Sequence, residues 1–150
     1  GRYRLEGMLT IASNVFLRGR WSQIGPDRPA QGTILMIHKQ EHEQSVLFKG
    51  SGCGVRDLTF WHPDQQLPDS RGSNSLAEAP LVIRGQASVV TIENINLINP
   101  GRGIDLSRAS TCCLRGICGS PLHVGLSADK SFAVSRYDSN SGGQVRIAPH

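Results

Sequence analysis

Aromatic side chains are scarce in this chain, with two Trp, two Tyr and four Phe making up 5% of its 150 residues. No apolar run approaches the roughly 18 residues that cross a bilayer as a helix, and the N-terminus lacks the charged, apolar and cleavage regions of a signal peptide. Nothing in the sequence anchors to a membrane. Nor does an apolar period of 3.6 residues run long enough for a sizeable helix, which leaves an all-β chain. The 16 basic residues outnumber the 12 acidic ones, for a net charge of +4, but no run of like charges and no basic-aromatic stripe occurs. Nucleic acid is therefore a poor candidate partner, whereas a mildly basic surface fits either ordinary solubility or an acidic polysaccharide. The four cysteines, Cys53, Cys112, Cys113 and Cys118, show no metal-ligand spacing. Buried thiols and a disulfide both remain open for them, and with them the redox compartment.

What the chain does have is glycine, 17 residues of it, and a corner that recurs. An aliphatic residue, a polar residue and then Gly, Asp or Asn come at Leu17-Arg18-Gly19, Val55-Arg56-Asp57, Ile92-Glu93-Asn94 and Leu114-Arg115-Gly116. Gly, Asn and Asp enter left-handed backbone space at least cost, so one turn shape is being reused. The corners are 38, 37 and 22 residues apart, which fits a unit of 22 with insertions in two of the intervals. The last two units agree further, since Ile92 and Leu114, Ile95 and Ile117, and Ile104 and Leu126 are each 22 apart. The two middle units match at an offset of 37, from Val55-Arg56-Asp57-Leu58-Thr59-Phe60 with Pro63 to Ile92-Glu93-Asn94-Ile95-Asn96-Leu97 with Pro100. Apolar residues alternate with polar ones on both sides of each corner, as in short strands with one buried face. The pattern predicts stacked coils of strand, corner, strand and loop.

These segments carry a family resemblance. GRYRLEGMLTIASNVFLRGRW, GSGCGVRDLTFWHPDQ, VVTIENINLINPGRGIDL and CLRGICGSPLHVGL resemble, in order, the single-stranded right-handed β-helix proteins of the pectate-lyase superfamily. The likeness is nearest to the polygalacturonase-like and phage-tailspike-like members, with Trp61-His62-Pro63-Asp64-Gln65 as their W/Y-x-P-x-Q element. The resemblance implies a right-handed parallel β-helix of about five coils over residues 1–129, with inserted loops at about 20–33 and 61–80. Residues 130–150 are expected to be irregular. Neither end reads as a cap, so a piece of a longer helix is expected. The Asn-Thr-Asp, Asp-Asp, Gly-His-Gly and Arg-x-Lys motifs of polygalacturonases are all missing, and no catalytic residue carries over.

Chemistry is then expected in the inserts, because loops on a rigid solenoid are where ligands bind. Both inserts follow the corner, so coils stacked in register would project them on one side as the walls of a groove. Trp21 and Trp61 would stack on sugar rings, while His62, Gln65 and Arg71 would bind hydroxyl or uronate groups. The bland alternative packs Trp61 under its own loop and has Asp64 cap a turn after Pro63. Glycosidic hydrolysis normally uses two carboxyl groups; Asp64 is the catalytic candidate, with Asp27, Asp69 or Asp105 as its partner. A lyase would need a base near a uronate α-carbon and a cation such as Arg71 to neutralise the carboxylate.

His38-Lys39-Gln40-Glu41-His42 satisfies the H-x-x-E-H zinc pattern, but the pattern works only on a helix and here reads as a solvated loop. No G-x-S-x-G elbow occurs. The sequence thus points to a secreted carbohydrate-active protein acting on an acidic polysaccharide, as hydrolase or lyase. It has no cofactor or metal, no nucleic-acid or membrane partner, and homo-oligomerisation is open. The alternative is a non-catalytic glycan-binding or structural module.

Overall fold

All regular structure among the described residues is β. In this computed structural model those residues are 1–22, 31–38, 43–65, 81–86, 88–122 and 124–128, together with the backbone of 133–134, 137–139 and 144–147. The strands are β1 (Arg2–Arg4), β2 (Leu9–Ile11), β3 (Phe16–Arg18), β4 (Ile34–Met36), β5 (Gln44–Phe48), β6 (Cys53–Trp61) and β7 (Leu81–Gly85). They continue as β8 (Val89–Ile98), β9 (Arg102–Asp105), β10 (Thr111–Ser120), β11 (Val124–Ala128), β12 (Ala133–Val134), β13 (Tyr137–Ser139) and β14 (Gln144–Ile147).

Two sheets result. One runs β1-β4-β6-β8-β10-β12, with β3 also on β6 and β13 also on β10; the other runs β14-β11-β9-β7-β5-β2. Every described pairing is parallel. Parallel neighbours cannot be joined by a tight hairpin, so the chain returns to each sheet by way of the other. Hence β5, β7, β9 and β11 alternate with β6, β8 and β10. The second sheet is six strands deep. Residues 130–150, expected to be irregular, contribute three short strands that extend both sheets.

The corner explains how one strand serves two directions. In β8 the fully buried apolar residues are Val90, Ile92, Ile95 and Leu97. The step is two, then three, then two. A strand that simply alternated would turn Ile95 and Leu97 outward, because a one-residue slip flips every side chain. Asn94, at φ 50°, absorbs the extra residue in left-handed space, as Asp57 does at φ 61° and Gly116 at φ 62°. The bend therefore keeps both arms apolar toward the core, as a bulge does. The registers reproduce the sequence spacings: Val55 pairs with Ile92 and Leu58 with Ile95, while Leu114 pairs with Ile92 and Ile117 with Ile95. Leu126 pairs with Ile104 in the other sheet.

Polar atoms tie the corners together. Asn94 Nδ2 donates to Asp57 Oδ1 at 2.9 Å, and Arg18 Nε donates to Asp57 Oδ2 at 3.1 Å. Changing Asn94 to alanine removes the first bond and puts a residue with no left-handed preference at φ 50°. The expected loss is about 1–3 kcal/mol by urea unfolding, with Asn94→Gly losing less because only the bond goes. Gly19 departs from the pattern, since it is not among the positive-φ residues. Its reason for being glycine is space. A Cβ there would meet Leu58 Cδ2 at 2.4 Å and the Asp57 carbonyl oxygen at 2.7 Å.

One core cluster draws on both sheets, from Ile11 through Phe48, Phe60, Ile92 and Ile104 to Leu126 and Ala128. Cys53, Val90 and Cys112 form one of its register columns. All four cysteines are free thiols; Cys53 and Cys112 are buried, Cys113 is exposed and Cys118 lies between. Burial pushes the Cys112 thiol up to about 11. Buried thiols thus account for two of the four, and none of the four is in a disulfide.

Candidate functional site

Three strands of the first sheet end together. Arg4, Met36 and Trp61 are register partners at the ends of β1, β4 and β6. The ladder runs one residue further, with Leu5 N–H donating to the Met36 carbonyl at 2.9 Å and Ile37 N–H to that of Trp61 at 2.8 Å. His62 N–H donates likewise to the Ile98 carbonyl at 3.0 Å. Glu6, His38 and Pro63 therefore occupy equivalent places two residues past the strand ends. They line a ledge.

Five charged or titratable side chains make contacts on and beside these strands. The Arg2 guanidinium lies over the Trp61 ring, 5.6 Å from its centroid, where the ring's negative face attracts a cation. Arg4 Nε pairs with Glu6 Oε1 at 3.1 Å. His38 Nδ1 lies 3.0 Å from Asp64 Oδ2, with side chains 40% and 61% exposed. Asp64 thus contacts a histidine from the neighbouring connection.

The neck of the first insert reaches the same face. Arg20 N–H donates to Thr33 Oγ1 at 3.0 Å, and Thr33 N–H to the Arg20 carbonyl at 2.8 Å, so the chain leaves and re-enters at one point. Asn96 Nδ2 then donates to the Ser22 carbonyl at 3.0 Å and to Thr59 Oγ1 at 3.1 Å. Residues 21–22 therefore cross Thr59 and Asn96, and both are buried. Thr59 and Trp61 share one face of β6, so the neck lies about 7 Å along the strand from the Trp61 column. Half-buried Trp21 has its Nε1 enclosed, as is Asn96 Oδ1, and neither atom has a hydrogen-bond partner among the described residues.

The sequence-predicted residues fare unequally. Trp61 and Asp64 sit on the ledge, and half-buried Gln65 follows them in a turn, its N–H donating to the His62 carbonyl at 3.3 Å. His62 lies inside the wall rather than on the ledge: it is 1% exposed, and burial pushes its imidazole down to about 4. Alternation turns it inward between half-buried Trp61 and Pro63. Asp105 belongs to the other sheet, where it faces Arg84 at 3.5 Å and accepts from Ser107 Oγ at 2.7 Å, so it is no partner for Asp64. Arg71, Asp27 and Asp69 lie outside the described residues, as do residues 39–42 of the H-x-x-E-H segment.

Nor do the two inserts leave the coil after one shared corner. The first replaces the corner at Gly19, and the second leaves at the end of β6, after Trp61. Sequence reasoning missed Arg2, Glu6 and the role of His38; an alignment of Met36-Ile37-His38 on Trp61-His62-Pro63 was the signal that could have found the last. Among the described residues, no three His, Cys, Asp or Glu side chains gather as a metal site.

The ledge offers a stacking surface, a guanidinium for an anion, and an imidazole fixed by a carboxylate. No family model, curated protein or solved structure matches this chain.

Proposed function

We propose that this chain is a carbohydrate-active right-handed parallel β-helix protein of the pectate-lyase superfamily type, acting outside the cell on an acidic polysaccharide. The alternation of parallel strands between two sheets supports the solenoid, and parallel crossovers are right-handed in nearly all proteins. The observation that carries the function is the Arg2 guanidinium on the Trp61 indole beside the His38–Asp64 pair. An indole face suits a sugar ring, and a guanidinium suits a uronate carboxylate. The first-insert neck and the connection after Trp61 would flank a polymer lying along this face.

A non-catalytic glycan-binding or structural module is the second reading. It is favoured by Tyr3, Val15 and Phe16, large apolar residues 57%, 46% and 44% exposed around the first strands, which a neighbouring copy could cover. The deciding experiment incubates the folded chain with pectic, rhamnogalacturonan and bacterial capsular polysaccharides and follows reducing ends and the absorbance of unsaturated uronates. Cleavage of at least one acidic polymer is the expected outcome. Binding without either signal would select the module, and neither binding nor cleavage would sink both readings.

A further inference from the structure

Thr59 and Asn96 are register partners on the outward face of β6 and β8, since the residues flanking them, Leu58 and Phe60, Ile95 and Leu97, fill the core. An outward row of threonine and asparagine is what a sheet presents to water. Yet Thr59 is 1% and Asn96 0% exposed, whereas Trp61, Ile98 and Cys118 on the same face are half-buried. The neck of the first insert crosses the two buried residues. Its base is fixed, because Gly19 N–H donates to the Arg56 carbonyl at 3.1 Å, Thr59 N–H donates to the Thr33 carbonyl at 2.9 Å, and Arg20 and Thr33 bond to each other. Beyond that base, Trp21 and Ser22 have one hydrogen bond among the described residues, from Asn96 Nδ2 to the Ser22 carbonyl at 3.0 Å. The cover is also imperfect. It encloses the Trp21 Nε1 donor and the Asn96 Oδ1 acceptor without giving either a partner among the described residues, and water would satisfy both if the neck lifted. Each unpaired group offsets roughly what a hydrogen bond contributes, so docked and lifted positions lie close in free energy.

We infer that residues 20–22 are an autoinhibitory strap, hinged at the Arg20–Thr33 pair, which exchanges between a docked position on Asn96 and a lifted one. Docked, it blocks the strip of sheet beside the Trp61 column that a polymer would otherwise occupy; lifted, it borders that polymer. The blocking role rests on the acidic-polysaccharide reading above, whereas the exchange does not. Asn96 is the latch, because its amide supplies the bond that holds Ser22 down. Strap and polymer compete for one place. The apparent affinity for polymer is then the intrinsic affinity multiplied by the lifted fraction, so weakening the latch tightens binding.

The test uses the whole chain labelled with 5-fluorotryptophan, in which Trp21 and Trp61 are the two reporters, assigned through Trp21→Phe and Trp61→Phe. In the wild type, the Trp21 fluorine should give two resonances or one broadened by exchange. Asn96→Ala should move the docked-to-lifted ratio toward the lifted state by about 2- to 10-fold, the worth of one hydrogen bond. An unmoved Trp61 resonance and wild-type far-ultraviolet dichroism check that the variant keeps its fold. Polygalacturonate should drive Trp21 to the lifted state, and in co-sedimentation Asn96→Ala should bind that polymer more tightly than the wild type by up to the same factor. A residue that held sugar, or that only stabilised the sheet, would weaken binding instead. A single sharp Trp21 resonance in the wild type would overturn the strap with no variant and no polymer needed. Weaker binding by Asn96→Ala would overturn the blocking role. Both of those results leave the acidic-polysaccharide reading standing. Two Trp21 states without binding to any polymer of the panel would support the exchange and remove that reading, and the blocking role with it.

Discussion

Replacing Phe60 with alanine is expected to lower the unfolding free energy by about 3–5 kcal/mol, a large fraction of what holds most single domains together. Phe60 is fully buried on the inward face of β6, with Leu35 of β4 and Leu97 of β8 as its register partners. A rung between two others cannot collapse onto the space left behind, because each neighbouring backbone is fixed by its own hydrogen bonds. The cavity therefore adds to the lost transfer energy. Phe16→Ala is the control. That ring is 44% exposed with the Arg56 guanidinium 5.7 Å from its centroid, and its loss should cost no more than about 1 kcal/mol. Urea unfolding midpoints at constant slope measure both. A Phe60→Ala cost no greater than that of Phe16→Ala would mean that the ring does not sit in the stack.

Much of the fold was legible because parallel stacking converts sequence offset directly into register. The offsets of 38, 37 and 22 read between corners are the ones that join β3 to β6, β6 to β8 and β8 to β10. The corner residues were legible for the same reason: only Asn, Asp and Gly sit easily at the φ that lets the buried face continue past the bend. What escaped notice were strands with too few residues to show alternation. Arg2–Arg4 and Ile34–Met36 have three residues each; the first pairs with the second, and the second pairs with β6. Ala133–Val134 and Tyr137–Ser139 are shorter or equal, in a stretch whose Ser, Asn and Gly content reads as loop.

The site was legible only where it is continuous in sequence. Trp61 and Asp64 stood out through one short element, but the histidine that Asp64 contacts arrives from 26 residues upstream. The H-x-x-E-H pattern, read as a solvated loop, gave His38 no partner. A helix would have put it beside His42, whereas the strand ending at Met36 puts it on the rung next to Pro63 and Asp64. His62 illustrates the opposite error. Its neighbours Trp61 and Asp64 face solvent, yet its own side chain is in the wall.

That buried imidazole gives the chain an acid sensitivity whose window can be stated. Burial pushes His62 from an ordinary 6.5 down to about 4, because the charged form loses its hydration inside the wall. Between those values the unfolded chain holds a proton that the folded chain refuses. Stability therefore rises with pH across the window, is fully present above the unfolded value, and is lost as pH falls from 6.5 toward 4. Integrated over the window, the loss is about 3 kcal/mol at 1.36 kcal/mol per pH unit. Carboxylates elsewhere add their own dependence at the acid end, so the comparison is with His62→Gln, which fills similar space and cannot titrate. Urea unfolding of both proteins at pH 7, 5.5 and 4 should show the wild type losing about 3 kcal/mol more than the variant. Parallel curves would mean that the proton is taken up without opening the wall, and that His62 is reachable by solvent after all.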